Sequence, residues 1–585
     1  MNQIVSNTTG QKLQQAVALH AQGNVELAKI LYLDVLKTLP GEFNALHYLG
    51  MIETQAGNLE AALSLLSQAV KANPQSVDAL NNFAYVQQLL GHVTQALASY
   101  EQALQLNPRD IGILNNLGLL LKQLQRMPEA LAAFDRALLV NPTHVDILCN
   151  RGNVLQHMGR AEDALANYDL ALKLAPNNVV VLNNKSTALS DLLRNEEALA
   201  ICDQAIAISP DYAQAWADRG TALRNLDRTK EAVESFRRAL AIDPALLKAQ
   251  VNLASICVSD PDHAELGIQE SRKSLRMFLN TEFRQGGKGA VRAGFPKFRL
   301  KHDLQQAAYL QARGYEIAGT AQFVDTGHKL LDQQCDAGNS DFISIAPNEL
   351  ALLMPYLAAE HVFEMPVLKT TCLNPENDWQ ALEDAYLKAT PEILYIDNFL
   401  SKEALQAFRD FGLLSKVWLK EYVNSYLGAF ANQGFVSPLH LQLARELKQK
   451  MPRIFKDYSL NQLWGFKYDA TLGKGINVHA DFAKVNLNFW LTPSEYNLDP
   501  ASGGLKVYDV PAPANWTFQE YNADAKVIYE FLAKHQSGHV TVPHRGNRAV
   551  LFNSALFHET DTIRFVEGYE SRRINMTYLF GRQLW

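Results

Sequence analysis

The chain of 585 residues is poor in cysteine, with Cys149, Cys202, Cys257, Cys335 and Cys372 far apart. No two form a CxxC pair, so neither a zinc knuckle nor a disulfide framework is signalled. A reducing, cytoplasmic setting is the simplest expectation. A basic surplus is also missing: formal net charge is −7 and the pI is near 6.1. That argues against nucleic acid, whose capture rests on Lys and Arg neutralising phosphates. No run approaches the roughly 18 apolar residues of a membrane span. The opening "MNQIVSNTTGQKLQQ" lacks the basic-then-apolar pattern of a secretory signal. What remains is ordinary globular composition, 48% hydrophobic and 20% charged, at a length that suits roughly two to four domains.

Prolines fall at 40, 74, 108, 142, 176, 210 and 244, always 34 residues apart. Alanine keeps the same step at 28, 62, 96, 130, 164, 198 and 232. So does a small residue: Ala16, Gly50, Ala84, Gly118, Gly152, Ser186 and Gly220. A mostly large residue recurs eight positions before each proline: Tyr32, Leu66, Tyr100, Phe134, Tyr168, Cys202 and Phe236. These registers describe two helices per unit. Small residues permit close backbones, the large side chain fills the gap, and proline stops the second helix. One unit cannot bury its apolar face alone, so neighbours stack into a superhelix. Val35 breaks a further alanine register (Ala69, Ala103, Ala137, Ala171, Ala205, Ala239), which marks the first unit as an atypical cap. The pattern resembles the tetratricopeptide repeat over roughly residues 7–256, with a closing helix near Leu246–Cys257.

A further ladder lies 26 residues before each proline and includes Asn82, Asn116, Asn150 and Asn184. Asparagine is a mediocre helix former, so four in register need a reason. The ladder resembles the one in O-linked N-acetylglucosamine transferases. There the amides hold an extended peptide by its backbone, and an amide both donates and accepts. The resemblance implies a protein or peptide partner in the repeat groove. The alternative is that the amides bond neighbouring repeats or only water.

The registers vanish after Ser259. "RQGGKGAVRAGFPKFRLK" (284–301) has six basic residues and no acidic ones, which reads as a solvated linker. The expected division is a repeat array over 1–257, a linker over 258–300, a helical connecting segment over 301–390 and a β-rich domain over 391–585.

After about residue 390 the period switches. "EILYIDNFLSKEALQAFRDFG" reads as strand then helix. Short apolar or alternating runs follow: "LWGFKYDA", "INVHADF", "KVNLNFWLT", "GGLKVYDV", "GHVTVP", "RAVLFNS" and "RINMTYLF". Many short strands with polar turns predict a double-sheet jelly roll, in an α+β setting. His479 and Asp481, two apart on a strand, share a face. Two look-alike triplets, at His144 and His263, fall in a repeat turn and a helix. Two imidazoles and one carboxylate define the facial triad of non-haem Fe(II) oxygenases, and His558 supplies the second imidazole. Arginine suits the distal carboxylate of 2-oxoglutarate, because its fork binds carboxylate bidentately. Arg573, Asn575 and Thr577 share one strand face, with Arg572 on the other as the competing anchor.

This order of elements resembles the iron(II)- and 2-oxoglutarate-dependent dioxygenases, in particular the prolyl-hydroxylase-like branch, over roughly residues 390–585. The resemblance implies a jelly-roll (double-stranded β-helix) domain and an enzyme using Fe(II), 2-oxoglutarate and O2. It implies that His479, Asp481 and His558 are metal ligands and that Arg573 is the cosubstrate anchor. Tyr468, Asn575 and Thr577 would be further cosubstrate contacts. Arginine in place of that branch's usual lysine leaves prolyl chemistry unspecified. The expected function is hydroxylation of a side chain on a protein captured by the repeats. The alternatives are a small-molecule hydroxylase with repeats used for assembly, and a non-catalytic repeat scaffold.

Overall fold

The computed structural model describes residues 2–260, 263–283, 294–336, 341–422, 424–469, 475–513, 516, 520–522 and 525–581. The chain divides into two compact units, one ending at Ser235 and one running from Phe236 onward. Residues 284–293 of the expected linker lie outside the described residues.

The first unit is built from helical hairpins. Helices of 13 residues, such as Val77–Leu89 and Ile111–Gln123, alternate with helices of 14, such as Val93–Leu106 and Met127–Val140. The small and large registers meet directly. A Cβ added at Gly118 would lie 2.7 Å from the Phe134 ring, and one at Gly152 would lie 2.5 Å from Tyr168. Ser76 and Asp110, two residues beyond a proline, cap the next helix by accepting the N–H of Ala79 and Ile113. Within each hairpin one residue takes a left-handed φ, again every 34 residues: Gly23, Gly57, Gly91, Gln125, Gly159, Leu193 and Asp227. Glycine takes that conformation freely; Gln125 (+61°), Leu193 (+59°) and Asp227 (+58°) do so as exceptions.

The second unit corrects the linker reading. Ala264–Phe283 is a helix whose Leu275, Leu279 and Phe283 are buried in the main core of this unit. The expected closing helix, Leu247–Ser259, packs beside it, with Gln250 donating to Glu270 at 2.7 Å. Arg299, read as linker charge, lies in the first turn of the helix Lys297–Ala312. It is buried, donating to Asp303 at 2.6 Å and to the Trp418 carbonyl at 2.7 Å.

Among the described residues twelve strands follow in chain order. A small ribbon pairs β1 (Gly294–Pro296) with β2 (Phe342–Ser344). The others are β3 (Ile393–Ile396), β4 (Lys420–Tyr422), β5 (Tyr426–Phe430), β6 (Leu460–Tyr468) and β7 (Val485–Trp490). Then come β8 (Leu505–Pro511), β9 (His539–Val542), β10 (Ala549–Asn553), β11 (Leu556–Thr560) and β12 (Ile574–Phe580). A seven-stranded sheet has the order β3-β10-β7-β12-β6-β5-β4, and a three-stranded sheet has the order β11-β8-β9. Every pairing is antiparallel.

Alternation decides what each face of the large sheet does. Ile574, Met576, Tyr578 and Phe580 of β12, with Leu487 and Phe489 of β7, join a core that includes Phe408 and Phe411 of helix Lys402–Leu414. On the opposite face Trp490, Val550 and Phe552 pack with Leu505, Val507, Val542 and Leu556 of the smaller sheet. The region is therefore β-rich, with two packed sheets and helices on one outer face. Among the described residues no helix is long and apolar enough to cross a membrane.

Candidate metal centre and repeat surface

The predicted strand around His479 is the first difference. Residues 475–484 form no regular strand; His479 makes an isolated antiparallel bridge with His558 of β11. Two backbone bonds, His479 N–H to His558 C=O at 3.0 Å and the reverse at 2.8 Å, put the two residues directly opposite each other. Their ring centroids lie 4.3 Å apart. The Asp481 N–H donates to the Ser554 carbonyl at 3.1 Å and fixes the third group. One ligand atom from each of His479, Asp481 and His558 lies within 4.8 Å of the others.

The donor set suits a cation. Nδ1 of His479 lies 2.8 Å from the Asn477 carbonyl, and Nδ1 of His558 lies 3.1 Å from the Leu556 carbonyl. A carbonyl only accepts, so each Nδ1 carries a proton, and in the neutral imidazole each Nε2 is then the atom with a free lone pair. Those Nε2 atoms face Asp481 at 3.8 and 3.3 Å. Burial, then the neighbouring His558, pushes His479 down to about 4, so near neutrality it is uncharged. For Asp481 burial pushes upward, but hydrogen bonding and charge from His558, then His479 and the Asn486 amide, hold it below the usual carboxylate range. With both Nε2 atoms unprotonated, three acceptors converge, which is the arrangement a divalent metal satisfies.

Arg573, immediately before β12, is 2% exposed. Its Nε donates to the Gly503 carbonyl at 2.6 Å, its Nη2 to the Gly504 carbonyl at 3.2 Å and its Nη1 to Asn575 at 3.3 Å. The paired glycines explain themselves here. Gly503 holds φ +79°, and a Cβ on Gly504 would lie 1.8 Å from the Val542 carbonyl. Among the described residues Arg573 has no salt-bridge carboxylate. It lies 4.8 Å above the Tyr468 ring, whose phenol burial pushes up and Arg573 pulls down. Arg572 faces away, donating to Gln305 and lying 3.6 Å from Asp469.

His479, Asp481, His558, Tyr468, Arg573, Asn575 and Thr577 all line one cavity of about 400 Å³. The sequence reading missed Asn486 and Asn488. Asn486 donates to Asp481 at 2.5 Å, Asn488 donates to Asn486 at 2.6 Å, and Thr577 donates to Asn488 at 2.5 Å. Two asparagines alternating in the apolar run "KVNLNFW" were the available signal, since asparagine is depleted in strands. Trp490 also lines the cavity. His544 is 4% exposed, and burial pushes it down to about 3.

The asparagine ladder is engaged between repeats. The side-chain nitrogens of Asn116 and Asn150 donate to the Oδ1 of Asn81 and Asn115, at 3.1 and 2.9 Å. Asn82 bonds His47 at 2.9 Å and Asn184 bonds the Cys149 sulfur at 3.1 Å. Inter-repeat bonding, the alternative at sequence level, is what these amides do. A parallel row, unread in the sequence, pairs Arg151 with Asp135, Lys185 with Asp169 and Arg219 with Asp203 at 2.6, 2.7 and 2.7 Å.

Family models of the tetratricopeptide repeat match residues 13–77, 111–144, 145–178 and 213–246, and a TPR repeat model matches 89–125. No curated protein matches the chain. Among solved structures, a tetratricopeptide repeat protein from Parabacteroides merdae is 20% identical, over 42% of this chain and 98% of its own, with a TM-score of 0.37. A thermophilic TPR protein of Thermus thermophilus is 26% identical, over 31% and 98%, with a TM-score of 0.27. YrrB, a TPR protein with an unusual peptide-binding site, is 22% identical, over 32% and 95%, with a TM-score of 0.27. The N-terminal repeats of this chain are tetratricopeptide repeats.

Proposed function

We propose that the second unit is a double-stranded β-helix (jelly-roll) dioxygenase that uses Fe(II) and 2-oxoglutarate to hydroxylate a side chain of a protein bound by the repeats. One observation carries the reading: His479, Asp481 and His558 share a cavity with a buried guanidinium that has no salt-bridge carboxylate among the described residues. Fe(II) with 2-oxoglutarate supplies oxidation of an unactivated C–H by O2, with succinate and carbon dioxide as co-products. His479, Asp481 and His558 would hold the metal. Asn486 orients Asp481 through its 2.5 Å bond, and the Asn477 and Leu556 carbonyls fix both imidazole tautomers. Arg573, held from behind by the Gly503 and Gly504 carbonyls, would take the distal carboxylate with its remaining N–H donors. The apolar layer around Trp490 and Leu505 excludes water from that end.

The repeats suit capture of a polypeptide. An amide has two N–H donors and an acceptor oxygen. One inter-repeat bond leaves capacity for a peptide backbone and fixes the rotamer that presents it. Carrying such a surface on the same chain as the site raises the substrate's effective concentration there.

Co(II) titration of the full chain tests the centre. The reading expects one equivalent to bind, with d–d absorption lost in His479→Ala and His558→Ala. Absence of a spectrum from the parent chain, or one unaltered in both variants, counts against it.

A further inference from the structure

One side of the cavity is aromatic. Alternation along β6 turns Trp464, Phe466 and Tyr468 to one face, and the register with β5 sets Phe430 opposite Trp464 and Tyr426 opposite Tyr468. Tyr422 of β4 stacks on Tyr426 with centroids 4.5 Å apart and rings 7° from parallel. These rings line the same cavity as the candidate metal ligands. Phe466 and Tyr426 are buried, whereas Trp464, Phe430 and Tyr422 are half-buried and keep ring surface free for a ligand. Gly428 lies opposite Phe466. A Cβ there would come within 2.9 Å of the Tyr422 ring and 3.3 Å of Phe430 and Phe466, so glycine keeps the wall open.

Formal charge is sparse among the described residues of the lining. There Asp481 is the only carboxylate, Arg573 the only guanidinium, and no lysine occurs. Both are committed in the reading above, one to metal and one to cosubstrate. A charged substrate group entering beside the wall would lose hydration and meet no uncommitted counter-charge among the described lining residues, at a cost of several-fold to many-fold in affinity. A flat apolar ring loses little on entry and gains both buried area and ring–ring contact. The volume, about 400 Å³, sits at the small end for ligand sites. Beside a five-carbon diacid it leaves room for one side chain rather than a folded segment.

We infer that the wall formed by Tyr422, Phe430, Trp464 and Phe466 selects an uncharged aromatic side chain of the substrate and lays it beside the metal centre. The inference rests on the proposed function for its placement, but its selectivity is measurable without turnover.

The test uses ligand-observed NMR on the full chain, with and without Co(II) and 2-oxoglutarate, against the N-acetyl amides of phenylalanine, leucine, lysine and glutamate. The phenylalanine amide is expected to bind tightest, about tenfold better than the lysine and glutamate amides. Trp464→Ala and, separately, Phe430→Ala should each weaken it about tenfold, and Gly428→Val should block it. Equal binding of the lysine or glutamate amide overturns the inference. So does undiminished phenylalanine-amide binding in both alanine variants, or failure of every amide to bind. Selectivity without Co(II) binding would sink the metal reading alone; Co(II) binding without selectivity would sink this inference alone.

Discussion

Arg573 shows most clearly what one residue can decide. Parity along "SRRINMTYLF" separates Arg573 from Arg572 in the sequence, and the structure places them on opposite faces, one lining the cavity and one bonded to Gln305. A guanidinium held by backbone carbonyls rather than by a carboxylate is poised for an anionic ligand. Replacing Arg573 with Met should therefore weaken 2-oxoglutarate binding, measured by calorimetry with Mn(II), by about 2–3 kcal/mol, roughly 30- to 150-fold. Arg572→Met should leave that affinity within about threefold. Other residues were beyond sequence reasoning. Whether the Asn116 amide turns outward or to Asn81 depends on a neighbour 35 positions away, which periodicity cannot rank. His544 lies between Trp490 and Phe565, a setting that local polarity around it gives no hint of.

At the scale of the element, the repeats were legible because their physics is local and repeated. Each small residue is matched sixteen positions on by a residue that is large in six of seven units, and each proline ends a helix, so seven copies report one geometry. The left-handed turn is part of the same code. Glycine holds it at four positions, while Leu193 holds φ +59° with its side chain 77% exposed. A leucine there carries strain with no burial to offset it, so Leu193→Gly should stabilise the array by about 0.5–1 kcal/mol, read as a higher denaturation midpoint. The same change at buried Leu189 should destabilise. The β-rich half was less legible. Strands β3, β6, β7, β8, β9, β10 and β12 could be read from apolar or alternating runs, but β4 has three residues, two of them charged, and β5 is five residues broken by Gly428. His479 sits on a bridge rather than a strand, because its pairing is set by β11 some eighty residues later.

Across the molecule, the second unit holds three deeply buried histidines that the candidate centre does not use. His302, His440 and His544 are 1%, 0% and 4% exposed, and burial first of all pushes each down to about 3. Folded, they stay neutral until near pH 3; unfolded, each takes a proton below about pH 6.5. Stability is therefore at its full value above about pH 6.5 and falls as the pH drops toward 3, by up to about 1.4 kcal/mol per pH unit for each histidine. Thermal unfolding between pH 7 and 4 should show this slope, and His440→Met, in its pocket of Phe408, Phe411 and Phe435, should make it shallower by about one proton. A midpoint flat across that range would contradict the burial argument.

The proposed function rests on one reaction, oxidation of 2-oxoglutarate at the His479–Asp481–His558 centre. It is measured most directly as succinate formed from 2-oxoglutarate and O2 by the full chain loaded with Fe(II) under anaerobic conditions. Succinate is expected from the parent chain, even without a substrate protein, with loss to background in His479→Ala and Arg573→Met. No succinate from the iron-loaded parent, or equal succinate from His479→Ala, would overturn the proposal.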